Sequence, residues 1–377
     1  AWGHFDQSRI NILQDYANHI WSIDPGAYLI LEHFADNDEE TELSSRGMML
    51  WGNMTTQYGQ GAKGYGGSDF SNTWYVQRGW ADPHLVGYME SHDEERLMYK
   101  NLSAGNMAPG YNIRDLDVAL GRIELVSAFF YLIPGPKMIW EFGELGYDYS
   151  INYCTDGTVS TNCRLDAKPV RWDYKNVLLR QRIYDVDRAL ILLREQPAFK
   201  EGTLEISVIS QFEKKIRYTH PDMDIVVCGN FHVGNRDIAP VFTKTGRWYD
   251  YLTGDSLEVT DVNMIIPYVP GEYHVYTTKK LTFDFDITSS IAGIEFSSQP
   301  LEIYPSLNQG QFDVILPSDA IGTPKVYVWD MTGQKIDIDI HPSGDRISVD
   351  VVHPIPGVYV INVLQDRVMY TGKMIVQ

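Results

Sequence analysis

Apolar positions in the first 200 residues follow two spacings. Four short apolar runs, Tyr28–Leu31, Met48–Trp51, Leu85–Met89 and Met138–Trp140, are too short for helices. Each ends in a polar cluster: Glu32-His33, Asn53, Glu90-Ser91-His92-Asp93, and the stretch from Glu141 to Glu144. Between the runs the period changes. Ile10, Leu13, Tyr16, Ala17, Ile20 and Trp21 fall on one helical face behind Asp6, a candidate N-cap. Leu116, Ala119, Leu120, Ile123, Val126 and Phe130 predict a second helix, and Leu179, Ile183, Val186, Leu190 and Leu193 a third. Buried strands alternating with amphipathic helices predict a parallel sheet covered by helices. Polar residues gathered where strands end are the habit of a (β/α) barrel. A whole barrel takes eight strands and about 250 residues, whereas residues 1–200 offer four strands. Half a barrel would leave two open parallel edges, so the expectation is the C-terminal part of a longer protein, its other barrel half upstream.

The pattern shifts to short β-branched or alternating runs over 203–285, with Ile206–Ile209, Asp224–Val227, Val275–Thr278 and Leu281–Phe285 separated by turn residues such as Gly229-Asn230 and Gly254-Asp255. This predicts a small antiparallel domain. A third segment, 290–377, predicts a β-sandwich whose strands follow the stretch Ser289–Pro300. Its strands are read at Leu301–Tyr304, Gln311–Ile315, Lys325–Trp329, Arg346–Val351, Val358–Val363 and Val368–Val376. The fold class is thus α/β plus all-β.

Composition narrows the function. Lys plus Arg number 31 against 50 Asp plus Glu, a formal charge of −19. A phosphate backbone would be repelled over most of such a surface, which argues against a nucleic-acid partner. No apolar run approaches the roughly 18 residues of a membrane span. Three cysteines exclude a disulfide scaffold and a Cys-rich metal module. Nine Trp and 24 Tyr supply flat faces of the kind that stack on sugar rings, although aromatics also fill cores.

Glycosidic bond cleavage needs carboxyl groups flanking the bond, held apart by the scaffold. Glu32 ends the first run and Asp93, beside His92, ends the third. Here the chain resembles a known family. "ILEHF" (30–34), "MESHDEERL" (89–97) and "IPGPKMIWEFGELG" (133–146) resemble, in order and spacing, the strand-5, strand-7 and strand-8 segments of the α-amylase superfamily of glycoside hydrolases. The resemblance implies that residues 1–200 are the second half of a (β/α)8 barrel, with 203–285 the β domain that follows it. It implies Glu32 as general acid/base and Asp93 as the carboxylate that holds the distorted sugar, with His92 bonded to a sugar hydroxyl. His33, Trp51, Tyr88 and Glu144, at the same strand ends, are candidate substrate-binding residues. Trp74, Trp80 and Tyr147 are further candidate sugar platforms. The family's nucleophile would lie on a strand before the first helix, outside this sequence. Arg171-Trp172-Asp173 matches its letters only, and is read as structural.

The implied reaction is retaining cleavage of α-1,4-glucans. The alternatives are a branching or transglycosylating enzyme, which passes the glucosyl group to another sugar, and a non-catalytic glucan-binding surface protein. No organic cofactor is implied. Calcium is conceivable at the acidic run Asp36, Asp38, Glu39, Glu40 and Glu42, although a solvated helix start accounts for that run better. A literal Gly-x-Gly-x-x-Gly at Gly59, Gly61 and Gly64 is read as a flexible loop over the site, not a dinucleotide cradle. Cys154 and Cys163 bracket a polar loop and could bridge, and Cys228 is read as a buried thiol. Finally, "YPSLNQGQF" (304–312), "VYVWDMTGQKI" (326–336), "PGVYVINV" (356–363) and Lys373 resemble the C-terminal sorting domain of the type IX secretion system. That resemblance implies the secretion machinery as a partner and a secreted or outer-membrane surface location.

Overall fold

The computed structural model describes residues 3–209, 211–283, 285, 287, 298–316, 324–330, 335–343, 346–365 and 368–377. It divides into two compact units, 1–292 and 293–377.

In the first unit four parallel strands pair in chain order: β1 (Ile30–Leu31), β2 (Met49–Asn53), β3 (Leu85–Tyr88) and β4 (Lys137–Met138). Every residue of β3 is buried, as expected where helices cover a parallel sheet. Helix α1 (Gln7–Ile23) starts where Asp6 accepts from the Ser8 and Arg9 amides, which satisfies two otherwise orphaned donors. Three further helices, α2 (Asn37–Ser45), α3 (Thr55–Ala62) and α4 (Leu97–Ala104), follow β1, β2 and β3 in turn. The long pair α5 (Leu116–Tyr131) and α6 (Leu178–Leu193) flank β4 in sequence. From Ala119 to Tyr131 helix α5 is buried at nearly every position, because the parallel sheet lies on one side and an antiparallel sheet on another.

That antiparallel sheet has six strands in the order 256–259, 246–250, 273–277, 225–230, 213–219, 203–207. It shares a core with α5 and α6: Ile216, Tyr218, Ile225, Val227 and Val275 pack with Leu125, Phe129, Ile183 and Val186. Polar pins cross the same seam. Tyr218 donates to the Leu132 carbonyl at 2.8 Å and Tyr251 to the Ala189 carbonyl at 2.8 Å. The strand expected over Leu281–Phe285 does not form among its described residues.

Two sheets face each other in the second unit. Strands 298–300, 307–308, 325–330, 335–336, 357–365 and 368–376 make one, and 302–304, 311–315, 338–343 and 346–351 the other. Phe312, Val314, Ile347 and Val349 meet Val328, Tyr359, Ile361 and Val363 between them. Most of the expected junction, residues 288–297, lies outside the described residues, as do 331–334 of the quoted 326–336 segment.

Two sequence readings are corrected here. The Gly-x-Gly-x-x-Gly stretch is no loop: it forms helix α3 and its end, with Tyr58 fully buried. Two of its glycines, Gly61 and Gly64, are packing residues. A Cβ on Gly61 would lie 2.7 Å from Phe70, and Gly64, at φ +75°, would meet Ile113 at 2.7 Å. The acidic run does start a helix, α2, but Glu39 and Glu40 are buried rather than solvated, because Arg9, His33 and Arg78 face them.

Candidate active site

Strand β1 delivers Glu32 and His33 to opposite sides, as alternation in extended chain requires. Glu32 is exposed, whereas His33 is buried and bonds Glu39 through Nε2 at 2.5 Å. Glu39 also accepts from Arg9 Nε at 2.7 Å, Arg9 Nη2 at 2.7 Å and the Asp6 amide at 2.7 Å. Burial alone would push the Glu39 carboxyl up, but the Arg9 and His33 hydrogen bonds bring it below its usual value. His33 is therefore scaffold beneath β1, not a group presented to substrate.

Beyond β3 the chain turns outward at Ser91. The Asp93 amide donates to Ser91 Oγ at 3.1 Å, and the buried Arg96 donates to the Ser91 carbonyl at 2.6 Å. This turn places His92 and Asp93 in solvent, with Nε2 and Oδ2 3.4 Å apart. Ligand-type atoms of Glu32, His92 and Asp93 all lie within 4.8 Å of one another. Strand ends 60 residues apart in sequence thus meet because β1 and β3 flank β2 in one parallel sheet.

Tyr88 lies beneath this group. Burial raises its phenol well above the ordinary range, and the nearby Glu94, Glu32 and Asp93 carboxylates raise it further, so it remains a neutral hydroxyl. Trp51 packs edge-on to Tyr88, with ring centres 6.0 Å apart. Glu94 is held by Asn53 Nδ2 at 2.5 Å and by the Ser91 hydroxyl. Glu144 lies apart. It lines a largely apolar pocket with Glu90, Trp140, Tyr147 and Asp187, where burial raises its carboxyl and takes that of Asp187 to about 8.

Other candidates are interior. Trp80 is buried and donates to Asn37 Oδ1 at 3.1 Å, and Tyr147 is buried under Arg96 and donates to the Pro169 carbonyl at 2.7 Å. Trp74 packs partly buried against the main core. Arg171 pairs with Asp173 at 2.6 Å and lies over the Tyr174 ring, a structural arrangement.

Sequence reasoning missed two neighbours of the site. Trp140, at the end of the fourth apolar run, brings its ring centre to 5.9 Å from that of His92; its place in that run was the available signal. Arg164 donates to the Asp93 carbonyl at 2.5 Å and to Asp93 Oδ1 at 3.1 Å. It sits in an aperiodic loop, directly after the Cys154–Cys163 disulfide, and nothing in the sequence singled it out. Cys228 is a buried free thiol.

Comparison with known proteins adds two findings. Residues 302–377 match the secretion system C-terminal sorting domain, so the second unit addresses the chain by type IX secretion to the cell surface or the extracellular space. No curated protein matches the chain by sequence. Among solved structures the chain is similar to an Anoxybacillus α-amylase (15% identity, TM-score 0.52, 72% of this chain and 56% of that one). It is also similar to the Geobacillus thermoleovorans α-amylase complexed with acarbose (14% identity, TM-score 0.53, 72% and 58%). A third likeness is to the cyclomaltodextrin glucanotransferase CldA (17% identity, TM-score 0.50, 72% and 54%). These likenesses establish an α-amylase-type fold, and the chain spans little more than half the length of the proteins it resembles.

Proposed function

We propose that the chain is the C-terminal portion of a secreted α-glucan-active glycoside hydrolase, in which β1–β4 are the last four strands of an eight-stranded barrel. The observation that carries the reading is the convergence of Glu32 with His92 and Asp93 at the ends of β1 and β3. Strand C-terminal ends are where barrel enzymes assemble their chemistry. Exposed apolar residues on α1 and around β1, among them Ile12, Tyr16, Tyr28 and Ile30, support the rest of a barrel on that side.

Glu32 protonates the leaving glycosidic oxygen, then takes a proton from the incoming water. Asp93, fixed by Arg164, accepts hydrogen bonds from sugar hydroxyls and opposes the positive charge that develops on the ring. His92 bonds a hydroxyl of the same sugar, while the Trp140 ring stands beside it. The nucleophile comes from a strand outside residues 1–377. Transfer to a second sugar is the other reading, favoured by the likeness to CldA.

The test uses the native protein incubated with maltoheptaose. Hydrolysis yields only shorter chains, and transfer also yields longer ones. Glu32→Gln is expected to lower turnover by about 10²–10⁴-fold while glucan retention persists. Glucan cleavage that survives Glu32→Gln would refute the assignment. Retention with no cleavage in the native protein would favour a surface glucan-binding protein.

A further inference from the structure

We propose that Glu32, His92 and Asp93 also form a binding site for a borderline divalent transition metal, of which Zn²⁺ is the type, and that metal and sugar exclude each other. The proposal rests on the glucan reading only for the second half of that statement.

The metal half stands on geometry. His92 Nε2 and Asp93 Oδ2 are 3.4 Å apart. Two ligands at about 2.0–2.1 Å from a tetrahedral Zn²⁺ are roughly 3.3 Å from each other, so this pair already has the spacing of one edge of the tetrahedron. Glu32 supplies the third ligand, one ligand-type atom from each of the three residues lying within 4.8 Å of the others. All three residues are exposed, so side-chain rotation alone can close the remaining gap.

The donor set selects among metals. One imidazole with two carboxylates suits Zn²⁺ and its neighbours, whereas Ca²⁺ takes six to eight oxygen ligands and Mg²⁺ demands near-octahedral oxygens. Charge favours a dication, since two carboxylates outweigh the single Arg164 guanidinium. Arg164 also orients the site: it occupies Asp93 Oδ1 and leaves Oδ2 turned toward His92. Three protein ligands in solvent leave a fourth position open to water. That position is where the proposed glucan site would bind sugar hydroxyls, hence the exclusion.

The test is calorimetric titration of the untagged full chain with ZnCl₂ under oxidising conditions, so that Cys154 and Cys163 stay bridged and do not compete. One equivalent should bind, and His92→Gln and Glu32→Gln should each weaken it by about tenfold or more, with Ca²⁺ giving no comparable signal. Both side chains are exposed, so these variants should fold, as circular dichroism would verify. Stoichiometric binding unchanged in His92→Gln overturns the site, as does no binding below millimolar Zn²⁺. Maltoheptaose should weaken Zn²⁺ binding in competition. Maltoheptaose retained at saturating Zn²⁺ overturns the exclusion. Zn²⁺ binding with no maltoheptaose retention at any metal concentration is instead the failure of the glucan reading.

Discussion

Arg122 should be among the most costly residues of the first unit to replace, although it is remote from the proposed site. It is wholly buried on α5 and donates to four backbone carbonyls, Ala62 at 2.9 Å, Phe231 at 2.8 Å, Asn230 at 3.4 Å, and Gly61, with the Tyr111 hydroxyl as a further side-chain partner. The first pair of elements it joins is α3 and α5. The second is α5 and the antiparallel sheet. Arg122→Met keeps most of the apolar stem and removes every donor. Gly61 O would still accept from the Gly64 amide at 3.1 Å, and Asn230 O from the Gly271 amide at 3.2 Å. Ala62 O and Phe231 O have Arg122 as their partner among the described residues. Two buried carbonyls left unpaired cost about 1–3 kcal/mol each. Against this, removing a buried guanidinium also removes its desolvation penalty, seen in the depression of its pKa by burial. The carbonyls should win, because they remain buried whichever side chain replaces Arg122. A net loss of about 2–4 kcal/mol is expected, or about 4–16 °C in Tm. Scanning calorimetry and urea unfolding followed by circular dichroism would measure it. A loss below about 1 kcal/mol would refute the reasoning, and would mean that the carbonyls find water or that the seam relaxes.

Two further predictions concern the β domain and the loop beside the site. Burial pulls the His274 pKa down, but hydrogen bonds to Asp250 at 2.5 Å and Glu272 at 3.0 Å overcome it and hold the imidazole up to about 9. A raised folded-state value means that this stabilisation is complete below about pH 6.5 and is lost as pH rises through about 9. Melting temperatures of the native chain should therefore fall over that window more steeply than those of His274→Gln, and parallel curves would refute the assignment. The Cys154–Cys163 bridge closes a loop of nine residues' separation and should contribute about 2–3 kcal/mol by restricting the unfolded chain. Paired Cys→Ser variants should show that loss in urea unfolding, together with faster proteolysis around Arg164; unchanged cleavage there would show that the loop is held by other contacts.

What the sequence disclosed depended on period. The helices α1, α5 and α6 were legible because their apolar residues recur at helical spacing several times, although Tyr16 in the α1 series is exposed, and Asp6 marked the start of α1. Glu32, His92 and Asp93 were legible because each follows a short apolar run. In the antiparallel domain, strands 213–219, 246–250 and 256–259 escaped notice, since charged residues such as Lys214, Lys215 and Arg217 interrupt their alternation. Lys214 is nonetheless fully buried, and donates to the Val208 carbonyl at 3.1 Å and the Gln211 carbonyl at 3.0 Å. A buried lysine satisfied by carbonyls leaves no trace in a hydrophobic pattern. The three glycines at 59–64 misled for a related reason. Glycine is poor in an isolated helix, but here close approach of Phe70 to Gly61, and of Ile113 and Val233 to Gly64, requires the missing side chain at those two positions.

The direction of Glu32 is set by its neighbour. In a two-residue strand the backbone ladder alone gives weak control over which side chain faces out, because β1 is paired only through Ile30 with Met49 and Leu31 with Leu50. A one-residue slip would exchange the faces of Glu32 and His33. The slip is opposed by charge. His33 is locked to Glu39, which Arg9 and the Asp6 amide also hold, so α1, β1 and α2 meet at one buried carboxylate. Moving His33 outward would strip Glu39 of one partner and bring Glu32 in beside it, placing two carboxylates in a buried pocket with Arg9 as the shared cation. Like charges at such range, away from water, cost several kcal/mol. The buried Glu39 network thus fixes the register that carries Glu32 to His92 and Asp93. Replacing Glu39 by Gln would therefore act on the site through the position of Glu32, without Glu39 touching a substrate.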